Sequence, residues 1–220
     1  MKSSKIFNSL LLLLSFSLLF TTANFGQVVD SASIKRAIVY KSMEDALIKP
    51  VDVYQLYLHY SKLSSLPSEI IKFENLEVLF LMQNNLTELP SEIGQLINLK
   101  NLDVANNSLT SIPSQVGQLI KLEELDLGTN QLTSIPSSFG QLENLKRLYL
   151  QNNKIASFPS ELCNLTNLTA LNLSGNGLTT LPDEIVKLTK LNYLVLTKNK
   201  FSVDERKKII DLLPNCEIEF

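Results

Sequence analysis

The sequence predicts a right-handed solenoid, a curved stack of short coils with a parallel β-sheet on its concave side. Two observations support this prediction. Leucine dominates an apolar fraction of 45%, tryptophan is absent and only 7 glycines occur in 220 residues, a bias typical of one unit repeated many times. An apolar residue also recurs every 23 positions without an insertion. The seven unit starts are Val53, Leu76, Leu99, Leu122, Leu145, Leu168 and Leu191.

Each unit begins with the pattern L-x-x-L-x-L-x-x-N-x-L, whose first three leucines surround a short extended segment. At position nine the chain must turn inside an apolar stack, where backbone groups have no water. An asparagine amide both donates and accepts hydrogen bonds, so it can satisfy the turns of its own coil and the adjacent one. The first unit has Ser61 at this position. The predicted structural ladder is Asn84, Asn107, Asn130, Asn153, Asn176 and Asn199.

The second half of each unit predicts a short helical turn on the convex side. A proline fixes the backbone and prevents a regular strand, and the Ser or Asp that follows it predicts a side-chain cap. Gly94, Gly117 and Gly140 predict close approach of neighbouring coils. An extended segment on one side and a wider element on the other should curve the stack. The prolines are Pro67, Pro90, Pro113, Pro136, Pro159 and Pro182.

These units resemble the leucine-rich-repeat family, in particular its 23-residue subtype with L-P-x-x-I-G-x-L on the convex side, as in LPSEIGQL from Leu89 to Leu96. The resemblance covers about residues 53–201. The closing segment LPNCEIEF, from Leu213 to Phe220, is similar to the end of exported bacterial members. The resemblance implies an α/β horseshoe with helical caps at both ends.

Both ends of the stack need covering, since a terminal coil has only one neighbour. Ser42 to Lys49 predicts a short helix with Ser42 as its cap, although residues 27–41 could instead be a disordered leader. Ser202 to Leu213 predicts an amphipathic helix that seals the last coil. We expect a signal peptide at 1–26, an N-terminal cap at 27–52, seven repeats at 53–201, the last merging into the cap, and a C-terminal cap at 202–220.

Residues 1–26 have the pattern of a targeting segment. Lys2 and Lys5 precede an apolar run from Leu10 to Phe20, which is about half the length that spans a bilayer. Small residues follow, and they favour cleavage after Ala23 or before Gln27. The pattern predicts a secreted, periplasmic or cell-surface protein with no transmembrane segment in the mature chain. A retained N-terminal anchor is the alternative.

Composition argues against several classes of function. The formal charge is −2, and no basic stripe occurs, so nucleic acid is not an expected partner. Cys163 and Cys216 lie on non-adjacent coils, so we expect free thiols, and His59 alone cannot form a Cys/His zinc site. No nucleophile–base arrangement or phosphate-binding glycine loop is present, and carboxylates on an open sheet lack shelter. We expect no catalytic residue, metal or cofactor, and no enzymatic activity.

The outward positions of the strand face are the predicted binding site. Aromatic and apolar residues crowd the first two coils, where a merely solvated face would carry Lys, Glu or Ser. These side chains could instead pack beneath the N-terminal cap, and the carboxylates further along could be merely solvated. The predicted contact residues are Gln55, Tyr57, Tyr60, Phe80, Met82, Asp103, Glu124, Asp126, Arg147, Tyr149 and Asn172.

The predicted function is therefore protein–protein recognition outside the cytoplasm by a monomeric scaffold. Seven strands about 4.8 Å apart give a face about 29 Å long, enough for an interface of about 800 Å² per partner. Two alternatives remain. One is binding of a glycan or surface polymer, with tyrosines stacked on sugars, and the other is a purely structural role in the cell envelope.

Overall fold

The computed structural model describes residues 31–220, which fall into two units. The first unit ends at Ile34 and contributes only the start of helix α1 (Ser31–Ala37) to the described residues. The second unit runs from Lys35 to Phe220 and holds the repeats. The predicted signal peptide at 1–26 lies outside the described residues, as does the 27–30 part of the predicted N-terminal cap.

The second unit contains one parallel sheet of nine strands in chain order. The strands β1 to β9 are Val39–Tyr40, Gln55–Tyr57, Val78–Phe80, Asn101–Asp103, Glu124–Asp126, Arg147–Tyr149, Ala170–Asn172, Tyr193–Val195 and Glu217–Glu219. Strands β2 to β8 come from the seven repeats and pair at equal repeat positions, as Leu79 does with Leu102. The predicted solenoid is confirmed. The predicted number of strands is too low by two, because β1 and β9 come from the caps.

Leucines at positions one, four and six fill the interior of each coil. In the fourth repeat, Leu122 and Leu125 are fully buried and Leu127 is 1% exposed. Side chains alternate along a strand, so the residues on either side of Leu125 point away from the core. Each coil also packs against both of its neighbours, and its stability therefore depends on them.

The asparagine at position nine joins each coil to the preceding one. Asn130 Oδ1 accepts a hydrogen bond of 3.0 Å from Leu109 N in the preceding coil. Its Nδ2 donates to Val104 O of that coil and to Leu127 O of its own coil, both at 3.1 Å. Equivalent contacts recur at the other five asparagines of the predicted ladder. Buried backbone groups at each inner turn thus have a partner.

The return side of the coils carries short 3-10 helices. Pro136 has φ −61° and ψ 134°, occupies the N-cap position and leaves Ser137 as the first helical residue. The prediction that Ser or Asp caps these helices is wrong, because the extended proline already stands at the cap and no side chain bonds there. The helices are Pro50–Asp52, Ser68–Lys72, Ser91–Gln95, Ser114–Gln118, Ser137–Gln141, Ser160–Asn164 and Asp183–Lys187.

A second set of asparagine bonds links the coils on the return side. Asn144 Nδ2 donates to Ile120 O at 2.7 Å, 24 residues earlier. Asn75, Asn98 and Asn167 make the same type of bond. The coils also approach closely here, as predicted from the glycines: a Cβ on Gly117 would lie 2.4 Å from Ser138 O. Contacts on both sides of the coil therefore fix its spacing.

The N-terminal cap adds strand β1 and a short helix to the stack. Helix α2 (Met43–Ala46) begins at Ser42, whose hydroxyl accepts a hydrogen bond from Asp45 N at 3.1 Å, as predicted. Its last residue, Ala46, is fully buried. Val39 and Tyr40 pair with β2, so this part of the chain is not a disordered leader.

The C-terminal cap covers the last repeat with a helix and a strand. Helix α3 (Val203–Leu212) begins at Ser202, whose hydroxyl accepts from Glu205 N at 3.2 Å. Ile209 is fully buried against the last coil, whereas Ile210 is 51% exposed. Strand β9 follows and pairs with β8, which extends the sheet beyond the repeats.

We expect Asn130→Leu to lower the free energy of unfolding by about 3 kcal/mol or more, because it leaves several buried backbone groups unpaired. Asn144→Leu is the matched control. The same change on the exposed return side should cost less than about 1 kcal/mol, since water can replace the lost bond. Chemical denaturation of both variants measures the difference. Equal losses would contradict a dominant role for the inner ladder.

Candidate functional site

The concave face consists of the side chains that point away from the core at repeat positions three, five, seven and eight. Leu125 is buried between the half-buried Glu124 and Asp126, which shows the alternation. Because the coils pair in register, side chains of one repeat position lie side by side. Along position five the order is Tyr57, Phe80, Asp103, Asp126, Tyr149, Asn172 and Val195.

Four rings on the first two repeats form a group that we name the aromatic cluster: Tyr57, His59, Tyr60 and Phe80. The rings of Tyr57 and Phe80 are stacked, with centroids 4.6 Å apart and planes at 29°. The ring centroid of His59 lies 6.1 Å from that of Tyr57 and 5.6 Å from that of Tyr60. Tyr60 is 65% exposed. His59 is not among the predicted contact residues, although its outward position seven could have indicated it.

The N-terminal cap reaches the aromatic cluster through Gln55, one of the predicted contact residues. The Tyr57 hydroxyl donates to Gln55 Oε1 at 3.0 Å, and Gln55 Nε2 donates to Arg36 O at 2.5 Å. The Arg36 guanidinium lies over the ring of Tyr54, 5.4 Å from its centroid. Tyr57 and Phe80 are half-buried, so both rings keep part of their surface in solvent. The cap side chains that pack on the core are Tyr40, Met43, Ala46 and Leu47.

Three predicted contact residues also stabilise the backbone. Asp103, Asp126 and Asn172 each accept a hydrogen bond from the N–H two residues further on, at 2.8 to 3.0 Å. Each bond closes the turn that follows a strand. These three position-five residues therefore also have a structural role, because a short side-chain oxygen reaches the turn.

Asp103, Glu124 and Asp126 form an acidic strip beside the aromatic cluster. Asp103 and Asp126 are direct neighbours in the sheet. Burial, together with nearby negative charges, raises the pKa of both carboxyls, that of Asp126 to about 6. Arg147 pairs with Glu124 at 2.5 Å. Within residues 31–220, neither aspartate has an ion-pair partner, so Arg147 compensates only Glu124 of the strip.

A pocket of about 80 Å³ lies between the aromatic cluster and the acidic strip. Its lining combines the ring of Phe80 and the apolar Leu102 with Asn101, Asp103 and Glu124. Asn101 Nδ2 donates to Glu124 Oε2 at 3.2 Å. The volume is well below that of pockets that enclose small molecules, which are about 300 Å³ or more. It suits a single side chain of a larger partner.

The remaining predicted contact residues are spread along the same face. Met82 and Tyr149 are half-buried, and Arg147 is exposed apart from its ion pair. Burial raises the pKa of the Tyr149 hydroxyl. The structure therefore brings together two groups, the aromatic cluster and the acidic strip, and leaves Tyr149 and Asn172 beyond them.

Other reactive side chains do not gather into a site. Cys163 and Cys216 are free thiols, and burial raises the pKa of each to about 11, which opposes thiolate formation. In the described part of the chain, no group of three or more His, Cys, Asp or Glu side chains is placed to hold a metal ion. No helix of residues 31–220 is long and apolar enough to cross a bilayer.

We expect Asp126→Asn to raise the free energy of unfolding at pH 7.5, and the gain to disappear as the pH falls to about 4. The folded pKa of about 6 exceeds the unfolded value, so the folded state holds the proton more tightly. The contribution of Asp126 to stability is therefore lost as the pH rises from about 4 through 6.

Denaturation of both proteins across this pH range measures the effect. Asparagine can keep the bond to Gly128 N, as Asn172 does for Ser174 N. Glu143→Gln removes a charge from the return side and controls for net charge. A gain that does not vary with pH would contradict the assignment to Asp126.

Two family models match the chain. A leucine-rich repeat region matches residues 51–150, and a leucine rich repeat matches residues 143–201. No curated protein matches by sequence. Among solved structures, a leucine-rich-repeat protein of Leptospira interrogans is 32% identical, with a TM-score of 0.66, over 82% of this chain and 57% of that one.

Two further structures share the fold. An internalin of Listeria monocytogenes is 24% identical, with a TM-score of 0.71, over 91% of this chain and 59% of that one. The third structure is the ectodomain of the plant receptor kinase GASSHO1/SCHENGEN3 of Arabidopsis thaliana, in complex with Casparian strip integrity factor 2. It is 30% identical, with a TM-score of 0.68, over 82% of this chain and 22% of that one. The chain thus spans little more than half of either bacterial protein. Together with the repeat spacing and the ladder, these matches show that the chain belongs to the leucine-rich-repeat proteins.

Proposed function

We propose that this chain is a non-catalytic scaffold that binds a protein partner through its concave face, with the aromatic cluster as anchor. The stack of Tyr57 on Phe80 is the observation that carries the proposal. Two large rings lie on the outward side of adjacent strands, where the leucine core does not require them, and both are partly exposed. Aromatic side chains are frequent anchors of protein interfaces. The plant ectodomain, solved with its protein ligand, supports recognition by this fold.

The size of the face is compatible with a protein partner. Nine strands about 4.8 Å apart give a length of about 38 Å, more than the 29 Å or so expected from seven. A standard interface of about 800 Å² per partner fits on such a surface. The small pocket beside Phe80 favours contact with side chains of a macromolecule over enclosure of a small ligand.

The absence of catalysis is part of the proposal. A raised pKa, like that of Asp126, is also typical of catalytic acids. Here burial and the neighbouring Asp103 and Glu124 account for it, and the carboxylate accepts a bond from Gly128 N. It lies on an open sheet that gives a reacting group little shelter from water. We therefore assign Asp126 to recognition rather than to proton transfer.

We further propose that the protein acts outside the cytoplasm, on the sequence pattern of residues 1–26. N-terminal sequencing of the protein recovered from the envelope and medium of expressing cells tests this. The expected first residue is Asn24 or Gln27, after removal of the apolar segment. An uncleaved chain in the membrane fraction would indicate the retained anchor, and an uncleaved chain in the cytoplasm would contradict export.

Tyr57→Ala and Phe80→Ala should each weaken partner binding by about 2 kcal/mol or more. Neither should change the unfolding midpoint much, because neither ring belongs to the leucine core. The partner is first captured with the wild-type protein, and its Kd is then compared among the variants.

The matched controls are Ile97→Ala and Ile120→Ala. These two apolar residues also lie on adjacent coils, but on the return side, and they are 57% and 55% exposed. They should leave both binding and stability unchanged. Tyr57 and Phe80 variants that melt early and still bind the partner would show that the rings serve the N-terminal cap. Binding to a glycan panel, with no protein captured, would favour the carbohydrate alternative.

A further inference from the structure

We propose that the partner presents an extended segment in which an arginine lies two residues from a large apolar side chain. The apolar side chain contacts the aromatic cluster, and the guanidinium binds between Asp103 and Asp126. This inference rests on the proposed function and specifies the chemistry of the partner at that site.

The spacing of the face fits such a segment. Phe80, Asp103 and Asp126 occupy the same repeat position on three consecutive strands. With strands about 4.8 Å apart, the midpoint between the two aspartates lies about 7 Å from Phe80. Alternate residues of an extended chain lie on one side and are about 6.7 Å apart. An extended segment that crosses the strands can therefore place one side chain on Phe80 and a second one between Asp103 and Asp126.

Charge complementarity favours a cation at the second position. Like charges directly opposite each other in a sheet are unfavourable, yet Asp103 and Asp126 are paired in register. The nearest arginine, Arg147, pairs with Glu124 instead. Burial raises the pKa of both aspartates, and the neighbouring negative charges add to this effect.

The two aspartates favour an arginine over a lysine at this position. Asp103 and Asp126 present carboxylates on adjacent strands, and each carboxylate has acceptor sites beyond its one turn bond. A guanidinium has five N–H donors in a planar fork and can serve several acceptors at once. An ammonium group offers a single point charge.

The pocket between the two groups accommodates the rest of the side chain. Phe80 and Leu102 supply apolar surface, and Asp103 and Glu124 supply the acidic end. Long basic side chains bury an aliphatic stem along apolar surface and keep the charge at a polar end. The pocket therefore matches an arginine whose stem packs beside Phe80 and whose guanidinium reaches Asp103.

Selection of a displayed random-dodecapeptide library on the immobilised full-length protein tests the inference. Selected peptides should share an arginine two residues from a large apolar residue. The Asp103→Asn, Asp126→Asn double variant should raise their Kd about tenfold or more. Asparagine can keep the turn bonds, as Asn172 shows, so folding is preserved.

Replacing the peptide arginine by citrulline, which is neutral and similar in shape, should have the same effect on the wild-type protein. It should have little further effect on the double variant. Glu143→Gln, which removes a carboxylate from the return side, is the control and should leave Kd unchanged.

The outcomes separate this inference from the proposed function. Peptides that need Tyr57 and Phe80, carry no basic residue and bind the double aspartate variant normally would overturn the inference and leave the function standing. Peptides in which lysine serves as well as arginine would overturn the assignment of a guanidinium to this position. A selection that yields no peptide sensitive to either pair of substitutions would overturn both.

Discussion

The structure depends on the hydrogen bonds of the asparagine at position nine. The inner turn of each coil has no water to bond to, and a buried unpaired N–H or C=O costs about 1–3 kcal/mol. Each asparagine reaches an N–H 21 residues earlier and a C=O 26 residues earlier, as Asn153 reaches Leu132 N and Leu127 O. These offsets can repeat only if successive coils keep the same length. Equal coils of 23 residues therefore give every inner turn the same set of ladder bonds.

Because the strands pair in register, the side chains at one repeat position form a column across the sheet. At position two the column alternates in charge, and Glu123 pairs with Lys146 across adjacent coils at 2.7 Å. At position five the column instead stacks the rings of Tyr57 and Phe80 and places Asp103 next to Asp126. The same register thus relieves charge in one column and concentrates it in another. The difference lies in the sequence and not in the backbone, which is nearly identical in every coil.

Features dictated by one position of the repeat could be predicted from the sequence: the strands, the buried leucines, the close approach at Gly117 and the asparagines of the inner turn. Features that depend on contacts between positions could not. The N-cap position is Pro136 and not the predicted Ser137, because the proline already has an extended backbone. The return-side bonds of Asn144 require the spacing of adjacent coils, although asparagine recurs at that position in four units. Strand β1 has two residues and no repeat signature, so only its pairing with β2 reveals it.

The candidate site was predicted as a set of outward positions, but the sequence could not separate structural side chains from available ones. Asn172 makes the same turn bond as Asp103 and Asp126 without a negative charge. The turn bond therefore needs a short side-chain oxygen and does not need a carboxylate. Burial disfavours the charged form of both aspartates, as their raised pKa values indicate. A charge that folding does not need, and that burial opposes, is explained best by a cationic group that the partner supplies.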